Sequence, residues 1–221
     1  MNIDTNLELT RFNMVEQQIR PWDVLDLSIL ALLYKLRRED FVPLAYRSLA
    51  FVDMEIPLSH GQVMLAPKME ARILQELQIK KTEKVLEVGS GSGYQTALLA
   101  EKGAHVYSVE IVPELKAMAE KNLLVFNISN ITMELGDAAQ GWPKHGPYDV
   151  IVLTGSTPVL PEAFQKNLNP GGRMFVIVGE EPVMEAKLIT CDAPDVYRST
   201  TLFETCVSSL INAQQPGRFT F

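Results

Sequence analysis

The chain reads as a doubly wound α/β protein: a mostly parallel, seven-stranded sheet with helices on both faces, an antiparallel C-terminal edge and a helical N-terminal extension. Three observations predict this. From Lys84 onward, short β-branched apolar runs alternate with helical patterns, as a parallel sheet with crossover helices requires. The first such run, Val85-Leu86-Glu87-Val88, feeds directly into Gly89-Ser90-Gly91-Ser92-Gly93 and then a helical pattern, the layout of a strand, a tight turn and a helix N-terminus. The last two runs lack a clear helix between them, which suits an antiparallel pair at one edge.

Strands are expected at residues 85–88, 105–110, 130–134, 148–154, 173–178, 186–191 and 201–209. Helices are expected at 94–102, 113–126 and 161–167. Upstream, Pro21 and Asp23 start an apolar stretch from Val24 to Leu33 that reads as one or two packing helices. Residues 53–67 are rich in turn formers, and Pro67 opens an amphipathic helix whose apolar face carries Ile73, Leu74 and Leu77. The 221 residues suffice for one domain, with 1–80 as a helical and loop cover and 81–221 as a cofactor-binding α/β core.

Composition narrows the function classes. A net charge of −7 argues against a broad phosphate-binding surface, so nucleic acid is not an expected partner. No apolar run reaches membrane-spanning length, and Met1 to Glu8 has no secretory apolar core, so a cytoplasmic location without membrane association is expected. Cys191 and Cys206 form no disulfide framework, and His60, His105 and His145 are too scattered to suggest a metal site.

The glycine run identifies the ligand class. A dinucleotide fingerprint is G-x-G-x-x-G, with its third glycine where this chain has Tyr94. The run here is G-x-G-x-G preceded by Glu87, whose carboxylate is expected near the strand end, repelling a pyrophosphate and attracting a cation. That arrangement resembles the strand end of Rossmann-like methyltransferases that use S-adenosylmethionine. Glu87, Gly89, Ser90, Gly91 and Gly93 are therefore expected on the cofactor side. Glu110, with Ile111 next to it, closes the second strand about twenty residues after the first glycine, where a carboxylate can accept from ribose hydroxyls. Asp137 and Ala138, after the third strand, offer an acceptor and backbone donors for an adenine, or else a plain Asx turn.

Beyond these motifs the chain resembles the protein-L-isoaspartate O-methyltransferase family. The resemblance rests on Arg38-Glu39-Asp40-Phe41-Val42-Pro43, Ala50-Phe51-Val52-Asp53, Ile56-Pro57-Leu58 and Gly61-Gln62-Val63-Met64, then on the glycine run, Gly136-Asp137, the strand starting at Tyr148, Leu160-Pro161 and Pro170-Gly171-Gly172, all in order from about residue 11 to 180. It implies methylation of the carboxylate of isomerised aspartyl residues for protein repair, with S-adenosyl-L-methionine as donor, S-adenosyl-L-homocysteine as product and a damaged protein or peptide as partner. The departures fall on the acceptor side. Leu65 stands where the family motif carries a serine linked to catalysis, Ala138 replaces a glycine, Ile177 replaces a proline, and the family's C-terminal F-V-P-L is not apparent around Ser208-Ser209-Leu210-Ile211.

An ionised carboxylate acceptor needs no general base, so Leu65 does not forbid carboxyl methylation. A hydroxyl or amine acceptor would need one, and Ser59 and His60 are the nearest candidates, against the plainer reading of His60 as a loop histidine. Gln62 and Leu65 are placed on the substrate side, while Trp22, Lys68 and Arg72 have ordinary packing or solvated roles as their default. Two alternatives stay open: a methyltransferase of the same fold with another acceptor, and a non-catalytic cofactor-binding regulator.

Overall fold

The computed structural model describes residues 3–217. Its main sheet has seven strands in the order β5-β4-β3-β6-β7-β8-β9, where β3 is Lys84–Val88, β4 His105–Glu110, β5 Ile131–Leu135, β6 Tyr148–Thr157, β7 Leu168–Glu180, β8 Val183–Ala193 and β9 Val196–Thr205. The pairs from β5 through β7 are parallel and the last two are antiparallel. The chain winds outward from β3 through β4 to β5, then returns to β6 on the other side of β3. That reversal opens a crevice beyond the carboxyl ends of β3 and β6, where doubly wound sheets bind ligands.

The elements follow from local chemistry. β3 and β6 are buried on both faces, which explains why Val85, Leu86, Val88 and Val150 to Leu153 form continuous apolar runs instead of alternating ones. Pro113 occupies the first position of α5 (Pro113–Val125), and Pro67 does the same in α3 (Pro67–Leu77). α2 (Leu27–Lys35) starts later than Pro21 suggested, because the Asp26 side chain accepts from the Ser28 and Ile29 amides and caps it there. Pro21 lies in a separate 3-10 turn. A further helix, α1 (Ile3–Met14), precedes these and runs into a π-turn over Val15–Ile19.

β6 and β8 run two or three residues past their expected bounds, and the larger departures are at β7 and β9. The strand expected at 173–178 begins at Leu168, with Pro170, Gly171 and Gly172 forming an irregularity where the β6 register shifts between Tyr148 and Val150. The strand expected at 201–209 ends at Thr205, and the following residues leave the sheet for the crevice, tied to β6 by reciprocal bonds between Ser156 and Ser208 and between Leu210 and Ser156. Residues 53–67 form the irregular segment expected, with a short antiparallel ribbon of β1 (Ile56–Pro57) and β2 (Val63–Met64) pairing Ile56 with Met64 and Pro57 with Val63.

The cover meets the core through a buried charge. Arg38 is fully buried; its Nε donates to the Ala50 carbonyl at 2.9 Å, its Nη2 to the Leu65 carbonyl at 2.7 Å, and its Nη1 to the Glu70 carboxylate. The Tyr94 ring lies 5.4 Å from the guanidinium carbon, and Phe41 packs on Tyr94 at 5.1 Å and on Phe126 at 4.9 Å. Beside it Arg11 pairs with Glu39, also buried. At the opposite end of α3, Arg173 of β7 grips Glu83 with two bonds of 2.8 Å and donates to the Gln78 carbonyl.

Removing one member of such a buried pair strands the other. Arg38→Met should therefore cost about 3–5 kcal/mol of stability in urea unfolding. The Arg38→Met, Glu70→Leu double variant should recover much of that loss; an equal loss in both would show that the carbonyl bonds, not the charge pair, carry the effect.

Candidate active site

The crevice predicted by the strand order is a cleft of about 820 Å³, counting its open mouth. The turn after β3 forms one wall, the ends of β4 and β5 a second, and residues 62–65 and Glu70 of the cover a third. Ser208 to Ile211, arriving from beyond β9, line the remaining side.

The glycine turn is shaped by what surrounds it. Gly89 has φ +92°, and a Cβ there would stand 2.5 Å from the Thr154 hydroxyl, which itself donates to the Val88 and Gly89 carbonyls. Gly93 has φ +85° and caps α4 (Tyr94–Lys102); a Cβ on it would sit 3.1 Å from the Ala119 backbone of α5. Gly93 is thus a packing glycine and lies outside the cleft lining, while Gly89, Ser90 and Gly91 are in it.

Glu110 lines the wall as expected, and its carboxylate is locked. One oxygen accepts from the Gly91 amide at 2.9 Å and the Ser90 hydroxyl at 3.2 Å, and the other from the Val112 amide at 3.0 Å. A carboxylate has about four acceptor positions, so this arrangement leaves capacity for a ribose hydroxyl. Ile111 and Ala138 line the same wall. Asp137 lines the cleft and forms the Asx turn that was its plainer reading, accepting from the Ala139 amide at 3.0 Å and, through its second oxygen, from Asn212 at 2.8 Å.

Glu87 corrects its expected placement. It does not line the cleft but lies fully buried under the turn, where one oxygen accepts from the Thr96 and Ser108 hydroxyls, both at 2.5 Å, and the other has no partner. In a parallel strand, side chains alternate between faces, and residue 87 points into the layer covered by α4. Burial raises its pKa to about 7, against the pull of the two hydroxyls. It holds α4 against β3 and β4.

Ser59 and His60 are also displaced from their expected role. Both are exposed and neither lines the cleft. His60 has φ +57°, which turns its ring outward to the Glu114 carboxylate at 3.3 Å. Gln62 and Leu65 do line the cleft, Leu65 as a buried side chain. Lys68 and Arg72 are absent from its lining: Lys68 pairs with Asp53 at 2.7 Å and stands 4.1 Å over the Trp22 ring, and Arg72 pairs with Glu76 at 2.6 Å. Trp22 packs edge-on against Phe203 at 5.7 Å.

Among the lining residues not anticipated are two long polar side chains, Glu70 and Gln95. Glu70 is buried beside Leu65, and burial pushes its pKa up to about 8 although Arg38 opposes the rise. Its signal was present in the sequence, since Glu70 falls on the same helical stripe as Ile73, Leu74 and Leu77, where an acid is out of place. Gln95 is the second residue after the glycine run and is buried with neither amide atom bonded. Among the described residues, no group of three or more His, Cys, Asp or Glu side chains is placed to hold a metal, and no helix is long and apolar enough to cross a membrane.

Comparison with known proteins agrees with this geometry. A family model described as protein-L-isoaspartate(D-aspartate) O-methyltransferase matches residues 11–206. A protein-L-isoaspartate O-methyltransferase of Gloeobacter violaceus is 42% identical over 168 residues, covering 76% of this chain and 82% of that one. One from Ignicoccus hospitalis is 36% identical over 183 residues, covering 81% and 87%. Among solved structures, a protein-L-isoaspartate O-methyltransferase from Plasmodium falciparum in complex with S-adenosyl-L-homocysteine superposes with a TM-score of 0.78 at 22% identity, covering 90% of this chain and 97% of that one, which establishes the common fold.

The buried carboxyls fix a pH dependence. Both Glu87 and Glu70 hold their protons more tightly folded than unfolded, so the stability associated with their neutral forms is present below about 4.5 and is lost as pH rises through about 7 and about 8 respectively. Glu87→Gln keeps the shape without the charge. The melting temperature of this variant, relative to the unsubstituted protein, should rise between pH 5 and pH 8; a constant difference over that range would show that Glu87 titrates as an ordinary carboxyl.

Proposed function

Because the chain belongs to the protein-L-isoaspartate(D-aspartate) O-methyltransferase family, we propose that it transfers a methyl group from S-adenosyl-L-methionine to the free carboxylate of isoaspartyl residues in damaged proteins or peptides. The observation that carries the reading is the cleft at the strand reversal, where the fixed Glu110 carboxylate and the turn at Gly89 to Gly91 meet a wall of the cover, and where the described lining holds no histidine, lysine, cysteine or tyrosine to serve as a general base. Carboxyl methylation needs no such base.

The residues present fit this donor. The Gly89 backbone lines the cleft where a Cβ could not be accommodated, Glu110 retains acceptor capacity for a ribose hydroxyl, and Asp137 and Ala138 flank the far end. When bound, the cofactor supplies a methyl group activated by a sulfonium. The chain's own part is positional: the cover and residues 208–211 narrow the mouth, Leu65 and Met64 keep water from the reacting carboxylate, and Arg38 fixes the Leu65 carbonyl so that this wall stays in place. The cover and the α/β core are proposed to act as one domain, and a cytoplasmic setting with no nucleic-acid partner is the accompanying proposal, supported by the charge of −7.

Leu65 removes a hydroxyl without adding a charge, which supports a retained acceptor class with altered grip over a switch to an acceptor that must lose a proton. Calorimetry should show S-adenosyl-L-homocysteine binding that falls at least tenfold in Glu110→Ala, the loss of about 1.4 kcal/mol or more expected for a charged hydrogen-bond partner. A methylation assay should show turnover on an isoaspartyl peptide and none on its aspartyl counterpart, with Leu65→Ser equal to or faster than the unsubstituted protein. Cofactor binding with silence on the isoaspartyl peptide from both proteins would reject the proposed acceptor.

A further inference from the structure

Gln95 is an anomaly in its own helix. It is the second residue of α4, a helix whose first seven residues are all buried. The other polar side chains at this end are satisfied: the Tyr94 hydroxyl donates to the Leu36 carbonyl at 3.3 Å, and the Thr96 hydroxyl to Glu87 at 2.5 Å. Gln95 is only 5% exposed, yet its amide nitrogen and oxygen both lack a partner, and it lines the same cleft as Leu65 and Glu70. Each buried unpaired polar group costs about 1–3 kcal/mol. A leucine or methionine would fill the same space without that cost, so the fold gains nothing from the amide.

The cleft lining explains what the amide is available for. The hydroxyls of Ser90, Thr154 and Ser209 are already engaged with Glu110, with the Val88 and Gly89 carbonyls and with Ser156. Leu65 offers no side-chain donor, and Glu70 is held by Arg38. Ser92 and Ser208 add small hydroxyls to the lining, but among the described residues there Gln95 alone carries an amide whose N–H donors and carbonyl acceptor are both uncommitted.

We infer that Gln95 is the acceptor-binding residue of this enzyme: its Nε2–H donates to the carboxylate oxygen that does not attack, and its Oε1 accepts from the backbone N–H on the same carbon of the isoaspartyl unit. The inference rests on the acceptor proposed above. In an isoaspartyl residue the free carboxylate and the N–H are attached to one carbon, a spacing that the paired donor and acceptor of a primary amide match. In an ordinary aspartyl residue the carboxylate is one carbon further away, and the two bonds cannot both form. Gln95 therefore reads the isomer as well as holding it, and it takes up the polar contact that Leu65 cannot make.

The test uses the full chain with Gln95→Leu and Gln95→Glu, an isoaspartyl peptide, and the same peptide N-methylated at the isoaspartyl nitrogen. Gln95→Leu should lower kcat/KM on the isoaspartyl peptide about 10- to 100-fold, mainly through KM, as loss of a bond to a charged group predicts. It should leave S-adenosyl-L-homocysteine affinity within about threefold and should not lower the melting temperature, because it removes an unpaired buried amide. N-methylation should weaken the unsubstituted protein and add nothing in Gln95→Leu, the coupling expected of two groups in contact. Gln95→Glu keeps the shape, should lose activity at neutral pH, and should regain it as the pH falls and the carboxyl becomes a donor again. Unchanged kcat/KM in Gln95→Leu, or an equal fall in cofactor affinity, overturns the inference while leaving the proposed function standing. Silence of the unsubstituted protein on the isoaspartyl peptide overturns both.

Discussion

The buried guanidinium of Arg38 is the interaction on which the arrangement of the cleft depends. It satisfies the Ala50 and Leu65 carbonyls and neutralises Glu70, three groups from separate parts of the cover that no secondary structure brings together. The planar fork suits this role, since its donors diverge at fixed angles and its face packs against Tyr94. Tyr94 is the residue that follows the glycine turn, so the same cation that sets the acceptor wall also abuts the start of the helix on the cofactor side. Acceptor wall and cofactor turn are therefore placed by one packed unit.

Beneath the turn the protein buries more polarity than stability alone explains. Glu87, Glu70 and Gln95 all lie at the base of the crevice or just under it; Glu87 adds to the cost of ionising Glu70, and Glu110 to that of ionising Glu87. Glu87 is partly compensated by two hydroxyls, Glu70 by Arg38, and Gln95 by nothing in the chain. Of the three, only the cleft-lining Gln95 has neither polar atom bonded. Stability is spent where a ligand can restore it, and the compensation deeper in the core keeps the layer between α4 and β3 in one arrangement.

Much of the cofactor side was legible in the sequence, because its determinants are local. A strand, a glycine turn and a helix N-terminus are consecutive, and Glu110 and Asp137 mark the ends of the next strands, so their convergence follows once a parallel sheet is granted. The side-chain direction of Glu87 was not legible in the same way. Its place before the glycines suggested the ligand, whereas the strand pleat and the covering helix turned it inward to Thr96 and Ser108. Ser59 and His60 failed for a related reason: the left-handed turn at His60 decides which way the ring points, and sequence proximity to Gln62 does not.

The sequence by itself determined the fold class, the order of elements, the glycine turn and the family, since each is written in period, spacing and ordered motifs along the chain. Only the tertiary structure decided which polar groups reach the cleft and which are consumed inside the core. That distinction depends on residues 30 or more positions apart, Arg38 with Glu70 and Asp137 with Asn212, whose meeting is set by packing of the cover and the chain beyond β9. Gln95 shows the difference most plainly. Its position after the glycine run was visible from the outset, but an unpaired amide exists only when the surrounding groups are in place and have found other partners.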